Sequence, residues 1–311
     1  MALVAQSKSP PSSQALERIL EGVRALGLER NLLELETQGY TTLKGVLAPA
    51  TVARAKEAII RSTERFTGKS GIDVAGEDGS KLRGMTYIPH LLYDDTVFEE
   101  ILMEPRPLAL VTYLLGESCL LSSMGCHFRV PGGLPLMLHS DNGNGTPAPY
   151  SSTSYVANVN YALTPYSKEA GALAMVPGSH KLLRQPTLAE NFRPRRESKD
   201  VTLEAAEWID PPNAIAMTIE PGDAVVWHGN TWHGGFRREL PGARINLAAY
   251  FCRQFVQTQE QHGRAVPKDL VARHANDERF ATLLGQRAPY GWGPEGPDYA
   301  LMNKSPRGLY D

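Results

Sequence analysis

The chain has 311 residues, 42% of them hydrophobic and 21% charged, which is enough apolar material for a large buried core and excludes a disordered or fibrous protein. Lys plus Arg number 32 against 34 for Asp plus Glu, a formal charge of −2, so no long-range field gathers nucleic acid or an anionic membrane. Three cysteines, Cys119, Cys126 and Cys252, with no CxxC pair, exclude a disulfide framework and favour a reducing compartment.

The start of the chain lacks the continuous apolar stretch of a secretion signal, no apolar run reaches the roughly 20 residues that span a bilayer, and the ending Gly308-Leu309-Tyr310-Asp311 is not a peroxisomal address. The expectation is a cytoplasmic protein. In chain order, Leu16, Ile19, Leu20, Val23 and Leu26 recur at helical spacing, Tyr40-Thr41-Thr42-Leu43 reads as a short strand, and Val52, Ala55, Ile59 and Ile60 predict a second helix after Pro49. Residues 68–84, rich in Gly, Asp, Ser and Lys, read as a mobile connection.

From residue 120 short extended stretches alternate with turn chemistry such as Pro131-Gly132-Gly133, Pro177-Gly178-Ser179 and Pro221-Gly222-Asp223. The predicted strands are 125–130, 136–139, 155–163, 172–176, 224–228 and 244–251. Many short strands so punctuated favour a sandwich or jelly roll over a parallel sheet. The expected organisation is one domain: a mainly helical support over 1–119, a β core over 120–255 with an insertion at 182–212, and a C-terminal extension over 256–311. In that extension, Tyr290-Gly291-Trp292-Gly293 is a candidate lid, a plain packed terminus being the alternative.

The residues that carry chemistry begin with His139-Ser140-Asp141. Side chains two apart on a strand point the same way, so an imidazole and a carboxylate would face one spot. His233 enters just past the strand that follows Pro221-Gly222-Asp223. Two imidazoles and a carboxylate make a three-ligand face with open positions opposite, which suits Fe(II) activating O2. Eleven residues after His233, Arg244 opens an alternating run in which Asn246, Ala248 and Tyr250 share its side, while Ile245, Leu247, Ala249 and Phe251 face away. An inward guanidinium beside a metal needs an anion.

These motifs, together with residues 171–181 and 221–228, resemble the phytanoyl-CoA dioxygenase family of Fe(II)- and 2-oxoglutarate-dependent oxygenases over roughly residues 36–255. The resemblance implies a mainly β protein with flanking helices around a double-stranded β-helix, a cupin-like jelly roll. It implies that His139, Asp141 and His233 hold Fe(II), that Arg244 pairs with the distal carboxylate of 2-oxoglutarate, and that a small-molecule substrate is oxidised with release of succinate and carbon dioxide. Halogenating relatives need the carboxylate position vacated, and Asp141 fills it, so hydroxylation or desaturation is favoured. The same resemblance puts Asn160 against the cosubstrate, and Asn158 shares its face of the strand; amides that satisfy backbone at a barrel rim are the alternative. One departure is Gly235, where relatives often carry Ser.

Met137, Asn158, Asn246 and Tyr250 are candidate substrate contacts, with further walls expected from residues 68–89, 142–154 and the tail. His228 competes with His233 for the ligand role, but His233 has the spacing to Arg244 that the resemblance requires. His180 fits a turn or helix start, and Arg193, Arg195, Arg196 and Lys199 a solvated loop. Cys126 and Cys252 read as small buried apolar residues. Two other classes stay open, a zinc hydrolase using the same His, Asp and His, which would leave Arg244 without a partner, and a non-catalytic binding barrel.

Overall fold

The computed structural model describes residues 11–76, 82, 85–195, 201–286, 292, 293 and 295–299. Five helices dominate the first third: α1 (Pro11–Ala25), α2 (Glu29–Gln38), α3 (Pro49–Thr67), α4 (Thr96–Leu102) and α5 (Pro105–Leu115). Each of α3 and α5 starts with Pro in its first turn, where the missing N–H costs nothing. Up to residue 260 the strands are β1 (Tyr40–Leu43), β2 (Met85–Ile88), β3 (Leu120–Arg129), β4 (Leu136–His139), β5 (Val156–Ala162), β6 (Leu173–Met175), β7 (Arg193–Arg195), β8 (Glu207–Ile209), β9 (Ile215–Ala216), β10 (Ala224–His228), β11 (His233–Gly235) and β12 (Arg244–Cys252). Three short helices follow, α6 (His262–Ala265), α7 (Lys268–Arg273) and α8 (Glu278–Leu283).

Two antiparallel sheets carry the architecture. A six-stranded sheet runs β1-β10-β5-β12-β3-β2 and a four-stranded one β4-β11-β6-β9. They share no strand, so the two do not close into a barrel. The large sheet is two-faced because its strands alternate. Met124, Cys126 and Phe128 of β3, Val159 and Tyr161 of β5, and Ile245, Leu247, Ala249 and Phe251 of β12 join one buried apolar cluster with Val52 and Ile59 of α3, Phe98 and Ile101 of α4, and Leu110 and Val111 of α5. Burial of this kind contributes roughly 25 cal/mol per Å² of apolar surface, and it puts most of the packing on the helical side. The opposite face of the sheet looks across a cavity at the small sheet.

The 182–212 insertion holds a two-stranded hairpin, β7 against β8. Arg195 pairs with Glu207 there at 3.2 Å and Arg193 is exposed, whereas Arg196 and Lys199 lie outside the described residues, as do Tyr290 and Gly291 of the candidate lid. Trp292 is 55% exposed and does not line the cavity. Part of the 68–84 connection, all of residues 1–10 and the chain end at 300–311 also fall outside the described residues. No helix among the described residues is long and apolar enough to cross a membrane.

Candidate metal and anion site

Between the sheets lies a cavity of about 330 Å³. At one end the small sheet brings His139 and His233 together as directly paired residues of β4 and β11, with ring centroids 4.3 Å apart. Asp141 is not on the strand with His139, as the alternation predicted. It opens a 3-10 turn, Asp141–Gly143. That turn is set by long-range contacts. Gln185, from the insertion, accepts from the Ser140 amide and donates to the Ser140 carbonyl, both at 2.8 Å, and the Asn142 amide donates to Gly229 O at 3.0 Å.

The carboxylate reaches both imidazoles: Asp141 Oδ1 is 3.5 Å from His139 Nε2, and Oδ2 is 3.5 Å from His233 Nε2. One ligand atom from each of the three residues lies within 4.8 Å of the others, the one such group of His, Cys, Asp or Glu among the described residues. Each imidazole is oriented by its other nitrogen, His139 Nδ1 at 2.9 Å from Met137 O and His233 Nδ1 at 3.0 Å from Thr231 O. A ring that donates Nδ1–H to a carbonyl presents the Nε2 lone pair to the shared point, the form a metal needs. Burial lowers the His233 pKa to about 4, so this ring is neutral at physiological pH. Asn158 Nδ2 donates to Asp141 Oδ2 at 2.8 Å and holds the carboxylate in place. Two nitrogens and one oxygen converging from one side suit a divalent transition metal that keeps open positions.

At the other end stands Arg244, 4% exposed. Its Nη1 donates to Gly171 O at 2.8 Å, its carbon Cζ lies 4.7 Å over the Tyr166 ring, and its Nε has no partner among the described residues. A buried guanidinium with an unsatisfied N–H and no carboxylate beside it fits an anion. The residues present therefore fit both a metal and a carboxylate ligand.

The other expected site residues divide. Asn160 lines the cavity and accepts from Tyr166 Oη at 2.9 Å, and Asn246 lines it with its Oδ1 accepting from the His127 amide at 2.8 Å. Tyr250 lines it too, its phenol pK pushed well up by burial and by the Asp141 charge. Asn158 serves Asp141 rather than standing free for substrate. Met137 does not belong: it is 38% exposed and turned out of the cavity. The pairing of β4 with β11 explains this, because His233 faces His139 while Gly235 faces Leu136, so β4 carries one extra residue and both Leu136 and His139 point inward. Among the described residues the walls likewise come mainly from strands rather than from the three expected segments, of which Tyr87 of β2 and Gln259 of the C-terminal extension contribute.

His228 is settled by its hydrogen bonds, since Nδ1 accepts from the Asn230 amide at 3.0 Å and Nε2 lies 3.2 Å from Ser152 O. His180 sits in the 3-10 turn Ser179–Leu182. The three cysteines are free and buried, and burial pushes the Cys252 thiol up to about 12. Sequence reasoning passed over Tyr87, Ser123, His127, Arg129 and Gln259, all in the cavity wall. The signal in β3 was available: Ser123, Gly125, His127 and Arg129 alternate with the core residues Met124, Cys126 and Phe128. Gly125 admits the Tyr87 ring, for a Cβ there would lie 2.4 Å from it.

The chain is 26% identical over 271 residues to dioxygenase af480 of Aspergillus fumigatus, covering 84% of this chain and 77% of that protein. It is 27% identical over 263 residues to the uncharacterized protein Rv1501 of Mycobacterium tuberculosis, covering 81% and 84%. In fold it is similar to HygX of Streptomyces hygroscopicus, solved with nickel and 2-oxoglutarate bound, at a TM-score of 0.55 and 20% identity over 74% of this chain and 88% of that one. The non-heme alpha ketoglutarate dependent carbocyclase SnoK from nogalamycin biosynthesis gives 0.51 and 19% over 78% and 89%. The phytanoyl-CoA dioxygenase profile matches residues 35–244, about two thirds of the sequence, and the chain belongs to that family.

Proposed function

We propose that the protein is an Fe(II)- and 2-oxoglutarate-dependent dioxygenase that hydroxylates, or otherwise oxidises by a step such as desaturation, a small and partly apolar organic molecule, with release of succinate and carbon dioxide. The observation that carries this reading is the pairing, across one cavity, of the His139, Asp141 and His233 ligand atoms with the unsatisfied guanidinium of Arg244. A zinc hydrolase accounts for the first and leaves the second without a purpose. The solved proteins that share the fold support the cofactors, one being crystallised with 2-oxoglutarate and nickel and also with iron.

On this reading His139, Asp141 and His233 hold the iron and leave the rest of its positions to ligands. Bound iron supplies O2 activation coupled to oxidative decarboxylation of 2-oxoglutarate, one oxygen atom entering succinate and the other serving the substrate. The protein's share is position and exclusion of water. Asn158 keeps the Asp141 carboxylate aimed, the carbonyls of Met137 and Thr231 fix the ring tautomers, and Arg244 anchors the distal carboxylate by charge-assisted hydrogen bonds. Leu136, Leu173 and Trp227 give the cavity apolar wall, while Tyr87, Ser123, Tyr250 and Gln259 offer hydroxyls and an amide, a lining for a molecule with both apolar and uncharged polar parts.

Anaerobic addition of Fe(II) and 2-oxoglutarate tests the reading. A visible charge-transfer absorption that needs both, followed by succinate release in air when a metabolite library is screened, is the expected outcome. Tight zinc with hydrolytic turnover, or ligand binding without succinate, overturns it.

A further inference from the structure

Strands β3 and β12 pair so that Arg129 stands directly opposite Arg244. Residues so paired project from the same face, here into the cavity, and each is 4% exposed. Two like charges side by side repel, and removing each from water is costly, so a protein keeps such a pair only where a negative group joins it. None of the described residues supplies that group. Arg129 Nη1 donates to Leu134 O at 2.8 Å and Arg244 Nη1 to Gly171 O, both neutral carbonyls, and no ion pair to either guanidinium is found among the described residues.

Tyr166, which faces Arg244, has its phenol pushed by burial up to about 12 and is neutral at physiological pH. The one carboxylate among the described residues of the cavity, Asp141, is engaged with His139, His233 and Asn158. A Cβ at Gly235 would lie 2.6 Å from Arg129 Nη2, so the absence of a side chain at 235 is what lets this guanidinium reach the cavity edge of β11.

We propose that Arg129 is a second determinant of cosubstrate recognition: with Arg244 it takes the distal carboxylate of the 2-oxo acid between two guanidinia, the missing side chain at Gly235 giving Arg129 the room to stand there. This rests on the dioxygenase reading above. The anion relieves the repulsion between the two arginines, so each residue contributes to affinity through the distal carboxylate and not through the 2-oxo acid end.

The test is anaerobic calorimetry on the Fe(II)-loaded protein with 2-oxoglutarate and with 2-oxobutyrate, which lacks the distal carboxylate. Arg129→Met raises the Kd of 2-oxoglutarate roughly 30-fold or more, as expected for truncating one partner of a buried charge pair, and leaves that of 2-oxobutyrate unchanged. Arg129→Lys, which keeps the charge without the planar fork, recovers part of the loss. Gly235→Ser, which crowds Arg129 without touching its chemistry, shifts 2-oxoglutarate in the same direction and serves where Arg129→Met fails to fold. An unchanged Kd for 2-oxoglutarate in Arg129→Met, or in Gly235→Ser where that variant stands in for it, overturns the proposal. So does a parallel rise for both acids, which marks a general structural defect. Arg244→Met separates the two levels: if it too leaves the preference for 2-oxoglutarate over 2-oxobutyrate intact, the cosubstrate reading itself fails and not merely the part given to Arg129.

Discussion

The two faces of the six-stranded sheet are made of the same strands and differ in every other respect. On the helical side Phe128, Leu247, Ile245 and Val159 are fully packed and carry no polar atom in need of a partner. On the cavity side the neighbouring positions hold Arg129, Arg244, Asn246, Asn158 and His127, and two of the orphaned buried atoms, Arg244 Nε and His127 Nδ1, are found there. Alternation along β3 and β12 thus separates stability from chemistry residue by residue: the side that holds the fold together is saturated, and the side that does the work is left with unmet demand.

The sharpest way to break this contrast is Asp141→Ala. The expected result is loss of bound iron and a fall in succinate release of roughly 10³-fold or more, since a catalytic metal supplies several kcal/mol of barrier lowering, with little change in the urea midpoint. The mirror experiment is Phe128→Ala on the packed side. It should cost about 3–5 kcal/mol of stability by urea unfolding, while the iron affinity of the folded fraction is retained. A variant that moved both quantities together would show that the two faces are not independent. Asn158→Ala, on the cavity side, removes the hydrogen bond to Asp141, and a 10- to 100-fold weaker iron site by metal titration is expected.

The last effect is in acid. His228 and His262 are held at about 4, in both cases first by burial, against roughly 6.5 in an unfolded chain. The unfolded state therefore binds protons that the native state refuses, so their stabilisation is complete above pH 6.5 and drains away as pH falls towards 4, at up to about 1.4 kcal/mol per pH unit for each ring. Urea midpoints across that interval check the slope, and His228→Gln should flatten it.

Much of the architecture was legible in advance. Strands β1, β4 and β10 begin and end where the sequence expects them, because Gly, Pro and Asp turns bound the last two and β-branched residues fill the first. The residues proposed as metal ligands were legible as types and spacings, and the structure brings them together. What local pattern could not convey was how they are held. Asp141 was expected on a strand because only alternation was visible, whereas its turn depends on Gln185, 45 residues beyond Ser140. Met137 was expected among the substrate contacts, and the extra residue in β4 opposite β11 leaves it turned outward. Arg129 went unnoticed although its alternation with Phe128 was in plain view, since an arginine near a Pro-Gly turn reads as solvated until its pairing across β12 is known.

The imidazoles belong to the small sheet, the guanidinium to the large one, and no strand is common to both. On the proposed reading the gap between the layers then works as a ruler: a dicarboxylic acid is accepted when its carbon count spans the layers, and an outer-layer substitution that shifted one sheet against the other would retune the preferred chain length without altering any residue that touches it.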